Sequence, residues 1–325
     1  MKESLRQNVY HYRAKLRAFS NTPHGKRLLR AGRYLMQILI TGVIVYQLSV
    51  IGWNAFFRSL PSHPLYYLLF LAIYFMLPLS EVFAYKICWG IPYFKSIPIF
   101  IQKRIFNKDV MGYSGELVLM QWAAKSLSVS GKQIFKDIRD MNIISSAAST
   151  FVALGMLLIL ITTDKIRAFD YIFSWNSGDY IIMAGVGVAI IWAGLRFRKY
   201  LFSMAFNIAG PVFLLHAIRM VLIYCAQILQ WYIVLPDIGL DIWFTFLSVN
   251  IIISRIPFIP NAELVSTGAN IGLAKVLDAP VAAVAGLFLV HNVLDKILNL
   301  LFYLFFTYAK KTDGKTYVVT ETDRP

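Results

Sequence analysis

The sequence predicts an all-α polytopic membrane protein with about six full spans and with broken or re-entrant helices near 110–130 and 242–277. Three observations carry this. Apolar residues make up 58% of the chain and charged ones only 15%, a balance that describes an integral membrane protein, with a soluble core as the lesser alternative. Apolar runs recur at the length of about 20 residues that about 30 Å of hydrocarbon requires. The 32 Lys and Arg are sorted between alternate connecting segments, as the positive-inside bias demands.

The first element is a basic arm, residues 1–30. It has no short apolar core with a small-residue cleavage site, so it is not a cleavable signal peptide. Leu5, Val9, Tyr12, Leu16 and Phe19 recur at spacings of three and four, with Arg6, Arg13, Lys15 and Arg17 off that stripe. This pattern suits a helix lying on an anionic inner leaflet, ended near Ser20 to Pro23; a solvated arm that only sets topology is the alternative.

The membrane domain follows over 31–309, with a polar tail at 310–325. Spans fall near 33–53, 64–85, 143–163, 180–195, 212–235 and 281–308, and 242–256 and 262–277 are shorter apolar pieces. With the N-terminus inside, the inner segments 1–33, 86–141, 196–199 and 310–325 hold 25 basic residues, and the outer ones only Arg58, Lys165 and Arg167. Both termini are therefore expected in the cytoplasm, and 242–277 enters and leaves from the outer side. Between the second and third spans, Gln121, Lys125, Ser128 and Lys132 share one helical face, and Leu117, Met120, Ala124 and Leu127 another. Basic flanks make that helix interfacial or re-entrant rather than a further span.

Several function classes are excluded. Net charge +15 follows the membrane sides and accompanies no nucleic-acid motif. Cys88 and Cys225 lie at or within separate apolar segments, so no disulfide is expected and one pair cannot alone form a metal site, and no nucleophile elbow, P-loop or His-Glu-x-x-His motif occurs. Neither an enzyme nor a cofactor is expected.

Polar groups inside apolar segments are the informative remainder, because each is costly unless it faces a bundle interior or a wet cavity. Glu81 follows Pro78 in the second span. His216 and Arg219, three apart, share a face of the fifth, with Gln227 and Gln230 beyond; Arg219 suits an anionic head group or a buried pair with an acid such as Glu81. In the last span His291 and Asp295 are four apart, and Asn292, Asp295, Lys296 and Asn299 form a polar stripe in which the neighbours Asp295 and Lys296 neutralise one another or serve a substrate. Ala282 and Gly286 supply a close-packing face compatible with a homo-oligomer.

The stretch SRIPFIPNAELVSTGANIGLAK, residues 254–275, interrupts two apolar runs with Pro257 and Pro260. These prolines stop the preceding helix, and a new one begins near Asn261. Its free amides, its dipole and the adjacent Arg255 make an anion site, in which Glu263 would compete. Broken helices of this kind build transporter binding sites. The expected substrate contacts are thus His216, Arg219, Arg255, Asn261, Glu263, Asn292, Asp295 and Lys296, with Glu81 and His291 as proton-coupling candidates.

The stretch from Arg255, RIPFIPNAELVSTGANIGLAKVLDAPVAAVAGLFLVHNVLDKILNLLFYLFF, with HAIRMVLIYCAQILQWYIVLP before it, resembles the C-terminal part of the lysylphosphatidylglycerol synthase transmembrane family, the flippase-like membrane proteins. Many members follow the break with Pro-Gly-Gly and later Gly-Val-Arg-Glu; here Asn261 and Ala262 stand in place of the glycines and the Arg-Glu pair is absent. The resemblance implies an inner-membrane protein that moves an anionic phospholipid or lipid-linked intermediate between leaflets, with membrane lipids as its partners. Members that also make aminoacyl lipids carry a cytoplasmic transferase domain after the membrane part, and none is expected here. The alternatives are a proton-coupled secondary transporter for a small anion and a non-transporting membrane scaffold or accessory subunit.

Overall fold

A computed structural model describes residues 60–110, 112–162, 203–255 and 262–309. The basic arm, the spans expected at 33–53 and 180–195, the proline break with Asn261, and the polar tail all lie outside the described residues. What is described is helical. In chain order the helices are α1 (Pro64–Trp89), α2 (Tyr93–Ile105), a π-helical turn (Phe106–Val110), α3 (Ser114–Ser126), α4 (Gly131–Thr162), α5 (Phe206–Tyr232), α6 (Leu240–Arg255), α7 (Ala262–Val276) and α8 (Val281–Ala309). Among the described residues α1, α5 and α8 are long and apolar enough to cross a membrane. The protein is therefore an α-helical membrane protein.

Each long helix has local reasons for its bounds. The His63 side chain accepts from the Leu65 amide at 3.2 Å and Pro64 occupies the first turn, where its missing N–H costs nothing. At the other end Gly90 takes φ 67°, and its N–H returns to the Lys86 carbonyl. Pro78 sits inside α1, which runs on through it. The segment expected at 143–163 is the second half of α4, whose first turns carry Lys132, Lys136, Asp137, Arg139 and Asp140 and reach α1 through a Trp89 indole donating to Asp137 at 2.9 Å.

The amphipathic helix expected near 110–130 exists as α3, but its inward face differs. Gly115, Leu119, Ala123 and Ser126 are buried, whereas Leu117 is exposed. The helix stops at Ser126, so Ser128 and Lys132 belong to no common face with Gln121 and Lys125. The choice is set by close approach: small residues at 115 and 123 let α3 lie against α2, a requirement that apolarity alone does not express. At 13 residues, about 20 Å, α3 is too short to span.

One core gathers Val82, Tyr85 and Trp89 of α1 with Ile99 and Phe100 of α2, Leu119 of α3, Ile134 and Ile138 of α4, and Val212 of α5. A second joins Trp231 of α5, Trp243 and Phe246 of α6 and Phe288 of α8 through ring contacts of 5.2–6.0 Å between centroids. α1 and α8 meet through aromatic side chains: Phe70 on His291 and Tyr74 on Phe302. α6 and α7, 16 and 15 residues long, pack on each other across the break, and Asn270 donates to Asn250 at 2.7 Å. Each is too short to span alone.

Candidate functional site

The most unusual local structure is the end of α2. The sequence KRIFNKD continues the helix into a π turn, whose extra residue per turn re-aims the side chains that follow it. Lys103 and Asp109 become buried, and Arg104 and Lys108 turn inward with them. The turn is fastened by the start of α3. Ser114 Oγ donates to the Phe106 carbonyl at 2.7 Å, the Gly115 amide donates to Asn107 Oδ1 at 2.6 Å, and Asn107 Nδ2 donates to Glu116 at 3.2 Å. Gly115 is needed there, because a Cβ would overlap the Lys103 carbonyl.

Facing this turn is the polar stripe of α8. Arg104 donates to Asp295 Oδ1 at 2.5 Å and to Asn299 Oδ1 at 2.7 Å, and Lys108 meets Asp295 Oδ2 at 2.8 Å. Lys296 pairs with Asp109, whose second oxygen accepts from Asn299 Nδ2 at 2.6 Å. Tyr74 of α1 donates to Asn299 Oδ1 at 2.8 Å and lies beneath the Arg104 guanidinium. Asp295 and Lys296 thus do not neutralise one another. Consecutive helix positions diverge by about 100°, so each finds its counter-ion on another element.

Burial pulls the Arg104 guanidinium down, but Asp295, Tyr74 and Glu263 together outweigh it and the pKa lies above the ordinary arginine value. Burial likewise lowers Lys108, and Asp295 and Glu263 together raise it above the ordinary lysine value. Both remain cationic across the physiological range.

The charges reach α7 on one side, and a second ionic group stands against α1 on the other. Towards α7, Lys108 also pairs with Glu263 in the first turn after the break. Towards α1, Lys103 donates to Glu81 at 2.5 Å and lies 3.5 Å from Glu116. Among the described residues two ionic groups result: Arg104, Lys108 and Lys296 with Asp295, Glu263 and Asp109, joined through Asn299, and beside them Lys103 with Glu81 and Glu116.

Arg219 is arranged differently. It is 6% exposed on the inward face of α5, which packs along α1. Glu81, the acid expected to pair with it, is held by Lys103 instead. Arg219 reaches Ser80 Oγ at 3.5 Å and the Met220 sulfur at 3.7 Å, and its Nε has no hydrogen-bond partner. His216, one turn earlier and fully buried, has neither ring nitrogen bonded.

The expected substrate contacts therefore separate into groups. Glu263, Asp295 and Lys296 enter the ionic chain around the π turn. Asn292 donates to Thr267 at 2.9 Å, tying α8 to α7. His291 stacks edge-on against Phe70, with Nδ1 unbonded. Arg255 is the last described residue of α6, and its side chain and Asn261 lie outside the description. Lys103, Arg104, Lys108 and Asp109 were not expected in the site, since the bases fit a cytoplasmic loop by charge count alone. The spacing of Arg104 and Lys108, four apart beside an apolar helix, is the signal that could have found them.

Searched against protein-family models, curated proteins and solved structures, the chain matches none of them.

Proposed function

We propose that the protein translocates an anionic phospholipid or lipid-linked intermediate across a cell inner membrane, in a six-span arrangement with both termini cytoplasmic. The observation that carries this reading is the Lys108 bridge, which links Glu263, in the first turn after the proline break, to Asp295 of the long span α8. A broken helix whose terminus meets buried charge is the usual construction of a transport site, since irregular backbone in lipid is tolerated only beside protein or water. The flippase-like resemblance of the chain from His216 onward supports the same class. Acyl chains would stay in lipid against the outward residues Leu214, Ile218 and Leu222 of α5, all about half exposed or more.

The test is transfer of fluorescent phosphatidylglycerol in proteoliposomes. Vesicles holding the protein should move it between leaflets faster than empty vesicles, and should move phosphatidylcholine less. Equal rates with and without protein would refute translocation of this class. A scaffold is the second reading, favoured by the matched charges around α8, which specify packing without any ligand. It gains if transfer is absent and the charge-removing variants only lower the melting temperature.

A further inference from the structure

We infer that Arg219 and His216 of α5, with Ser80 of α1, form a seat for a phosphate oxyanion. This deepens the translocase reading and rests on it for the source of the phosphate. A guanidinium carries five N–H donors and cannot shed its charge. At 6% exposure Arg219 has, among the described residues, only Ser80 Oγ, at 3.5 Å, and a thioether to receive them. Ser80 already gives its own proton to the Leu77 carbonyl at 2.8 Å, so its oxygen is an acceptor here. Glu81, whose charge reaches Arg219 through space, accepts its hydrogen bond from the Lys103 ammonium at 2.5 Å and leaves the guanidinium donors unfilled.

His216 adds a second independent observation. It is 0% exposed, both nitrogens lack partners among the described residues, and it lies three residues from Arg219 on the same helical face. In either neutral tautomer one nitrogen donates, so the face presents the arginine fork and one imidazole N–H. Water would satisfy some donors but would add no charge to the distant attraction of Glu81. A carboxylate or phosphate satisfies both, and the tetrahedral phosphate can meet the fork with two oxygens and still offer an acceptor to the histidine. The same chemistry comes from a phospholipid head group or from free inorganic phosphate.

Binding separates these sources and separates the seat from transport. The full chain in phosphatidylcholine nanodiscs is titrated with inorganic phosphate in one arm, and phosphatidylglycerol is mixed into the discs in the other, with bound anion measured by native mass spectrometry and melting. Binding in at least one arm should weaken about 10- to 150-fold in Arg219→Gln. Arg219→Lys, which keeps the charge but loses the fork, should fall between, and serves if the glutamine variant does not fold. His216→Ala should also weaken binding. The lipid arm alone responding assigns the seat to a head group, and the phosphate arm alone assigns it to the free ion. Arg219-dependent binding without lipid transfer in proteoliposomes keeps the seat and removes the translocase reading. Transfer without Arg219-dependent binding in either arm overturns the seat and leaves the translocase.

Discussion

The Arg104 guanidinium lies 3.9 Å from the centroid of the Tyr74 ring while one of its terminal nitrogens meets Asp295 at 2.5 Å. α2 is thereby held to α1 by a cation–π contact and to α8 by an ion pair, through one side chain. The planar guanidinium lays its flat face on the ring while its edge donates to the carboxylate, and an ammonium has no such face to stack. Arg104→Lys is therefore predicted to destabilise the folded protein by about 1–3 kcal/mol although the charge is kept. The check is the melting temperature of the two proteins in the same detergent; an unchanged value would show that the stack contributes nothing.

The pair between Asp109 and Lys296 leads to a sharper comparison. Both side chains are buried, at 0% and 6% exposure, so removing one leaves an uncompensated charge. Lys296→Met alone should cost about 3–5 kcal/mol. Lys296→Met with Asp109→Leu should recover most of it, because a buried pair replaced by apolar groups of similar volume is often neutral. Asn299, which loses its Asp109 acceptor, limits the recovery. A double variant as unstable as the sum of the singles would mean the two residues act apart.

Gly115 tests the π turn through the backbone. A Cβ there would meet the Lys103 carbonyl and Asn107 Oδ1, the group that accepts from its own amide. Gly115→Ala should push α3 from α2 and cost about 1–3 kcal/mol, the usual range for overpacking. Gly131→Ala, where nothing lies within 4 Å, is the control and should be close to neutral. Equal melting of the two variants would place the close approach elsewhere.

The long apolar helices were legible because hydrocarbon thickness fixes a length and a composition. α1, α5 and α8 lie where the runs 64–85, 212–235 and 281–308 indicate, with ends displaced by up to six residues. α6 and α7 are separate helices on either side of the stretch that holds Pro257 and Pro260, where the missing N–H groups lead one to expect an interruption. The face of α3 was not legible, since it depends on which small residues another helix needs. Nor were the partners of the α8 stripe. Asp295 and Lys296 invite pairing by adjacency, but their partners come from nearly 200 positions away, on a segment whose bases also satisfied the topology rule. Charge counting sees which side of a membrane a lysine is on; it does not see that Lys103 is 2% exposed.

The central claim is that the charged bridge at the helix break is part of a transport path. Lys108→Gln tests it most directly, because Lys108 alone touches both Glu263 and Asp295, and Asp295 keeps Arg104 as counter-ion when Lys108 is neutral. The measurement is the rate of phosphatidylglycerol transfer in proteoliposomes, taken on variant and parent with matched melting curves. The account predicts a folded variant whose transfer is slowed by about tenfold or more, the loss expected of one charge-assisted contact. A folded Lys108→Gln protein that transfers lipid at the parent rate would contradict it.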